Sequence, residues 1–481
     1  MKLTERSKIL WVYLITVAFI AVNFYLIVDK NSFWLFLLPI ALVTLVYYLV
    51  SLDKIVLFIT FLTPIAIELR DIKGGVGLSL PTEPLMFGVL LLFLANLIFE
   101  QRYDKRISNH PVSYIIYASL LWMLITATTS ELPIVSLKYL LSRLWFVIPF
   151  YFVAALMFKK TSNIKKFIWL YMISLCGVII YTLIQHSDYG FEEDAGHWVM
   201  SPFYNDHTAY GAAIAMFVPA AVGFIFYPGS TKSSRVLALI LTGILIIGII
   251  FSYGRAAWIS VVVAIIVFIL IVLRIKFYVI ATAFILFMGI FLTFQHQILD
   301  RLSKNKQDSS ANFAEHVQSI TNITSDASNL ERINRWQAAV RLYNERPILG
   351  WGPGTYQFVY SPFQSSQEKT IISTNLGDKG NAHSEYLGPL SEMGVLGSAL
   401  IILLIVYFII TGLRVYKHGT TEIKFLSMIT LLGLITYFTH GFLNNFLDTD
   451  KLSVPVWGFI AIIVALDIYH KTKDSPSSID G

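Results

Sequence analysis

Apolar positions in this 481-residue chain gather into long runs separated by short polar segments. A helix that crosses a bilayer needs about 20 mostly apolar residues. Fourteen runs approach that length: 9–28, 33–50, 55–69, 84–99, 112–129, 138–158, 167–186, 207–227, 236–252, 256–273, 277–295, 386–411, 425–443 and 453–470. The third and fourth are short, so the pattern predicts an all-α polytopic membrane protein of about 12–14 transmembrane helices. One long polar segment interrupts it. The predicted organisation is an N-terminal transmembrane region, 1–295, with about 11 helices, a large loop, 296–385, C-terminal transmembrane helices, 386–470, and a disordered tail, 471–481.

Within the loop, Lys304 to Asn329 is rich in Ser, Asn, Asp and Gln and reads as mobile. From Leu330 to Arg346 the pattern turns helical: Ile333, Trp336, Ala339, Val340 and Tyr343 recur at three- and four-residue spacing and predict one apolar face. Such a helix beside a bilayer lies along the interface. Pro347 ends it, and Gly350-Trp351-Gly352-Pro353-Gly354 predicts a tight turn. A second polar stretch, Ser361 to Asn381, leads back to the membrane.

Composition agrees with the runs. Hydrophobic residues make up 56% and charged residues 14%, against about 25% charged in an average soluble domain, and mean hydropathy is +0.67. Such a chain cannot cover itself with polar surface, so the bilayer is part of its solvent. The net charge is +6. More than half of the 36 basic residues fall in segments on one side of the predicted membrane. That asymmetry reads as topology with both termini cytoplasmic, and it excludes nucleic acid as the reason for the charge. The basic segment Met1 to Ile9 leads into an apolar run without a small-residue cleavage site, which predicts a first membrane helix rather than a cleaved signal. The single cysteine, Cys176, lies in an apolar run and reads as a small buried hydrophobe.

Ionisable groups are nearly missing from the run interiors, whereas ion-coupled transporters place them near the midplane. A lipid-linked oligosaccharide transporter would also show two similar halves, and no internal repeat is present. Polar groups collect instead at the predicted outer face. They are Asn205-Asp206-His207, Arg255, the long loop and His383, with Lys138 and Arg143 near a helix end.

The sharpest pattern is His383-Ser384, nine residues, Gly394, two residues, Gly397. It closes the long loop and opens a membrane run. It resembles the signature of bacterial O-antigen ligases and the related Wzy-type polymerases. Ser252-Tyr253-Gly254-Arg255-Ala256-Ala257-Trp258 is similar to a second family turn, although Tyr253-Gly254 separates the serine from the arginine. Arg332-Ile333-Asn334-Arg335-Trp336, followed by Arg346-Pro347-Ile348-Leu349-Gly350-Trp351-Gly352-Pro353-Gly354, resembles the family's loop pattern. The resemblance covers roughly 205–400 and is shared by ligases and polymerases.

The resemblance implies a GT-C-like, metal-independent glycosyltransferase without cofactor, in the bacterial inner membrane, with its long loop periplasmic. It would move a glycan from undecaprenyl diphosphate to an acceptor hydroxyl, on lipid A–core for a ligase or on a second lipid-linked glycan for a polymerase. A pilin-like protein acceptor is a third variant. His383 is the implied catalytic residue, and Arg255, Arg332 and Arg335 the implied diphosphate-binding residues. Ser384, Glu392, Gly394, Asn205 and His207 are supporting candidates. The chemistry fits the residue types. A diphosphate leaving group gains negative charge that guanidinium groups match in bidentate fashion, and a neutral histidine can take the acceptor proton near pH 7.

Plainer readings stand beside these. Arg255 can snorkel to headgroups, and Arg332 and Arg335 can be solvated loop arginines. Ser384 can cap a helix, as can Asn205, Asp206 and His207. Glu392 can pair with a basic residue or orient the histidine. Gly394 and Gly397 can allow close helix packing. Lys138 and Arg143 can meet lipid phosphates.

Overall fold

In the computed structural model, the described residues are 5–30, 51–72, 76–99, 103–276, 327–365 and 380–470, with Leu35, Val279 and Thr282. Chain contacts divide the protein into Met1–Ile55 and Val56–Gly481. The first unit holds α1 (Glu5–Lys30), which takes up the run 9–28. The remainder of the description concerns the second unit.

Ten helices among the described residues are long and apolar enough to cross a membrane, and each coincides with a predicted run. The first seven are α3 (Thr82–Phe99), α4 (Pro111–Thr128), α5 (Pro133–Met157), α6 (Thr161–Ser187), α7 (His207–Phe226), α8 (Lys232–Ile250) and α9 (Arg255–Val272). After the loop helix α10 (Ala327–Glu345) come α11 (Leu387–His418), α12 (Thr421–His440) and α13 (Asp450–Tyr469). The chain is thus an all-α polytopic membrane protein with almost no sheet. The runs 33–50 and 277–295 lie outside the described residues apart from Leu35, Val279 and Thr282, as do 304–326, 366–379 and the tail.

The run 55–69 does not become a membrane helix. It forms α2 (Leu52–Leu62), 11 residues long, which rises about 16 Å against a hydrocarbon core of about 30 Å. A 3-10 turn holding Pro64 ends it, because proline lacks the N–H that a continuing helix needs. The chain then turns into a hairpin of β1 (Ile67–Ile72) and β2 (Val76–Leu80), antiparallel with Ile67 opposite Leu80. The hairpin region is anchored on the first turn of α13. Lys451 Nζ donates to the carbonyls of Thr63 (2.6 Å), Pro64 (3.3 Å) and Ala66 (2.7 Å). Asp450 accepts from Ser79 Oγ (3.2 Å) and Thr82 Oγ1 (2.6 Å).

α13 is the centre of the unit, buried along nearly its whole length. A helix apolar on every face is stable only when surrounded, and α5, α7, α11 and α12 pack around it. α7 lies on α8, α9 and α12, and α11 lies on α4, α10 and α12. Charge enters at the packed helix ends. Asp467 is buried between His110 (3.4 Å) and Arg414 (2.8 Å) at one end, and Glu83, Asp450 and Lys451 are buried at the other. Each charge sits within about a turn of the end of its helix or just before it, where a neighbouring chain end supplies partners.

The loop helix packs on a face different from the expected one. Ala338, Ala339 and Leu342 form a small core with Tyr356, Tyr360 and Ala382. Val340, placed on the apolar face by periodicity, is exposed. The buried stripe continues through Glu331, Asn334 and Arg335, polar residues that a hydrophobic pattern does not register.

Candidate functional site

The ends of α4, α6, α8 and α12 and the starts of α5, α7, α9, α11 and α13 share one face, because successive helices run antiparallel. α10 covers part of that face through its packing on α11. The segment Asn381 to Gly397 ties the two together.

His383 is half-buried and holds a left-handed backbone, φ 47°, a conformation uncommon outside glycine. Three contacts hold it there. Asn381 Oδ1 accepts its backbone N–H (3.1 Å), and its carbonyl accepts Trp336 Nε1–H of α10 (3.3 Å). The third is its Nδ1, 3.3 Å from Asn444 Oδ1. With that oxygen as acceptor, Nδ1 carries the proton and Nε2 the lone pair. Burial, then the charges of Arg335 and Arg332, push the imidazole down to about 3. It is neutral at pH 7.

The next two residues fix this arrangement. Ser384 Oγ accepts the N–H groups of Tyr386 and Leu387, both at 3.3 Å, and so caps the start of α11. Glu385 is buried. It accepts the N–H groups of Phe446 (2.8 Å) and Leu447 (3.1 Å) and the hydroxyl of Tyr437. Its own N–H donates to Gly441 (2.8 Å). One carboxylate thereby ties down the turn 441–449, which presents Asn444 to the histidine. Burial raises the Glu385 carboxyl, opposed by these hydrogen bonds and by Arg143. Asp448 beside it is raised to about 6 by burial and by Glu385.

Arg255 opens α9 after a tight turn in which Tyr253 has φ 49°. Ser252 Oγ accepts the Gly254 N–H (3.3 Å), and Trp258 Nε1 donates to Ile249 at the end of α8 (2.7 Å). Asp206 caps α7 by accepting the Thr208 and Ala209 N–H groups at 2.6 and 2.9 Å. His207 follows, its ring 4.3 Å from that of His197. The charges of Arg332 and Arg255 both reach His207, and that of Arg332 also reaches His383 and His440. Arg332 thus shares a field with His207, His383 and His440, and Arg255 shares one with His207.

Residues 238–402 match the family model described as O-antigen ligase. This part of the chain belongs to the O-antigen ligase superfamily. Members of that superfamily are glycosyltransferase-like enzymes acting on lipid-linked glycans in a membrane. No curated protein sequence matches the chain. The matched O-antigen ligase region contains Arg255, Arg332, Arg335, His383, Ser384, Glu392, Gly394 and Gly397. Asn205, His207, His440 and Asn444 lie outside it.

The other candidates have structural partners. Arg335 is buried, bonded to Glu331 (2.7 Å) and to the Asn381 carbonyl (3.2 Å), so its charge is matched inside the loop. Glu392 accepts the Tyr356 N–H (3.0 Å) and so bonds to the loop rather than to a basic residue or the histidine. Gly394 breaks α11 with φ 68° and ψ −169°, and the Pro347 carbonyl accepts the Val395 N–H there (3.0 Å). Trp122 Nε1 donates to the adjoining Met393 carbonyl (2.8 Å). At Gly397 an added Cβ would meet Met393 Cβ at 2.5 Å. The Asn205 amide, exposed, donates to Glu68 of β1. Lys138 is exposed. Arg143 does not reach out to lipid: it is buried, donating to the Leu447 carbonyl (2.8 Å) and to Tyr139 (2.7 Å). Among the described residues no group of three His, Cys, Asp or Glu is arranged to hold a metal ion.

Sequence reading passed over Glu385, Asn444 and His440. The adjacent polar pair Asn444-Asn445 inside an otherwise apolar stretch was the available signal.

Proposed function

We propose that this protein transfers a glycan from undecaprenyl diphosphate to an acceptor hydroxyl at the periplasmic face of the inner membrane, in the manner of an O-antigen ligase with lipid A–core as acceptor. Both termini are then cytoplasmic. The observation that supports this reading is a neutral histidine, held by Asn444, Asn381 and Trp336, that lies in the field of Arg332 from the loop helix. Arg255 and Arg332 hold the diphosphate, matching the charge that grows as the glycosidic bond breaks. Removing one such electrostatic contact costs about 2.7–4 kcal/mol of transition-state stabilisation.

His383 Nε2 takes the acceptor proton. An imidazole at about 3 is a weak base in the empty site. A bound diphosphate offsets the arginine charges that depress it, so donor binding raises its basicity. Donor binding and acceptor activation are coupled in that way. Arg335 and Glu392 hold the loop around α10, and Ser384 and Gly394 shape the entry to α11.

The test is reconstitution in lipid nanodiscs with an undecaprenyl-diphosphate-linked repeat unit, with and without lipid A–core, beside a His383→Ala control. A product formed only with lipid A–core, and missing in the control, is expected. A ladder formed from the donor alone would make the protein a Wzy-type polymerase. Wild-type transfer by His383→Ala would remove the mechanism.

A further inference from the structure

α12 ends on His440, four residues before Asn444 in the following turn. The His440 side chain is 1% exposed, and neither ring nitrogen has a hydrogen-bond partner among the described residues. Its neighbouring ring, Phe446 at 5.8 Å between centroids, is apolar. Asn444 is buried too: its Oδ1 faces His383, while its Nδ2 has no partner among the described residues. A buried donor or acceptor without a partner carries its whole desolvation cost. Two such atoms on one ring, with a third on the next turn, make no sense as packing, since an apolar side chain of similar size avoids the cost. The charges that reach His440 are those of Arg332, Asp206 and His207. Arg332 reaches His383 as well. The unpartnered atoms therefore lie on the turn that holds His383, within the field of the arginine that the transferase reading assigns to the diphosphate.

We propose that His440 is a further donor-binding residue, its ring N–H donating to a phosphate oxygen of the prenyl diphosphate held by Arg332, with Asn444 Nδ2–H as a second donor beside it. This inference rests on the transferase reading. A neutral imidazole supplies one donor and one acceptor. The donor meets the charged oxygen, a stronger bond than one between neutral groups, and the acceptor is left for a hydroxyl of the first sugar. Arginine supplies charge that tolerates several geometries; the imidazole adds direction and sets how far the donor enters below His383. Asn444 then has two tasks, orienting His383 through its oxygen and binding donor through its nitrogen.

The experiment uses the full chain in nanodiscs, with undecaprenyl diphosphate lacking any glycan as the probe. Binding and thermal unfolding are measured for wild type, His440→Leu, His440→Gln and Arg332→Ala. His440→Leu is expected to weaken binding about tenfold while its unfolding midpoint stays level or rises, because buried polar atoms without partners have been removed. His440→Gln, whose amide can donate to the same oxygen, is expected to recover part of the loss. Wild-type binding by His440→Leu, with binding lost in Arg332→Ala, would overturn the inference and leave the transferase reading standing. Wild type binding no better than Arg332→Ala would overturn both. If neither His440 variant folds, the ring has partners inside the protein, and the inference falls.

Discussion

Replacing Gly394 by alanine tests how the loop is joined to the membrane helices. The residue sits inside α11 with φ 68° and ψ −169°, a region open essentially to glycine alone. Holding a side-chain-bearing residue there costs about 1–3 kcal/mol. The added Cβ would lie 2.0 Å from the Ile348 carbonyl oxygen and 2.5 Å from its carbon, so the loop backbone must retreat. Three hydrogen bonds retreat with it: Val395 N–H to Pro347 (3.0 Å), Gly352 N–H to Glu392 (2.8 Å) and Trp351 N–H to Ser391 (3.1 Å). Each contributes about 0.5–1.5 kcal/mol net. Strain and lost bonds together come to about 2.5–7.5 kcal/mol, a large share of the roughly 5–15 kcal/mol that holds a folded domain together. The expected result is a lowered thermal midpoint in detergent, faster proteolysis at 347–354, and loss of transfer because α10 no longer roofs the site. An alanine variant with the wild-type midpoint and protease resistance would refute the reasoning.

Two further predictions concern the histidine and its support. Glu385→Ala leaves the buried N–H groups of Phe446 and Leu447 without an acceptor, at about 1–3 kcal/mol each. Thermal unfolding should show that loss, and Glu385→Gln, which keeps one acceptor oxygen, should lose less; equal midpoints for all three proteins would argue against the turn-anchoring role. His383 lies at about 3 in the fold against about 6.5 in an unfolded chain. Its contribution to stability is therefore present above pH 6.5 and lost as pH falls towards 3, where the unfolded chain takes up the proton first. Stability measured against pH should fall less steeply over that window in His383→Gln than in wild type, and parallel curves would show that the imidazole is not held neutral.

Hydropathy along the chain was enough to determine that this is a multi-pass helical protein and where ten of its membrane helices lie, because a spanning helix is specified by its own composition. The cluster around His383, Gly394 and Gly397 was likewise legible as a family pattern, since those residues lie within one stretch. Other features were settled only by packing. The short run 55–69 is as apolar as its neighbours, yet Pro64 and the partners offered by Asp450 and Lys451 turn it into a helix end and a hairpin. Val340 follows the apolar period of α10 and is exposed, because Glu331, Asn334 and Arg335 claim the inner face. Arg143, for which contact with lipid phosphates was one reading, is buried and bonded to the Leu447 carbonyl. The pairing of His383 with Asn444 and the tie from Glu385 to Phe446 and Leu447 join segments 61 and 62 residues apart, and His440 lies on the same distant segment. Hydrophobic periodicity reports whether a position is covered and carries no record of which distant polar group will cover it; that choice is made when the helices close around α13.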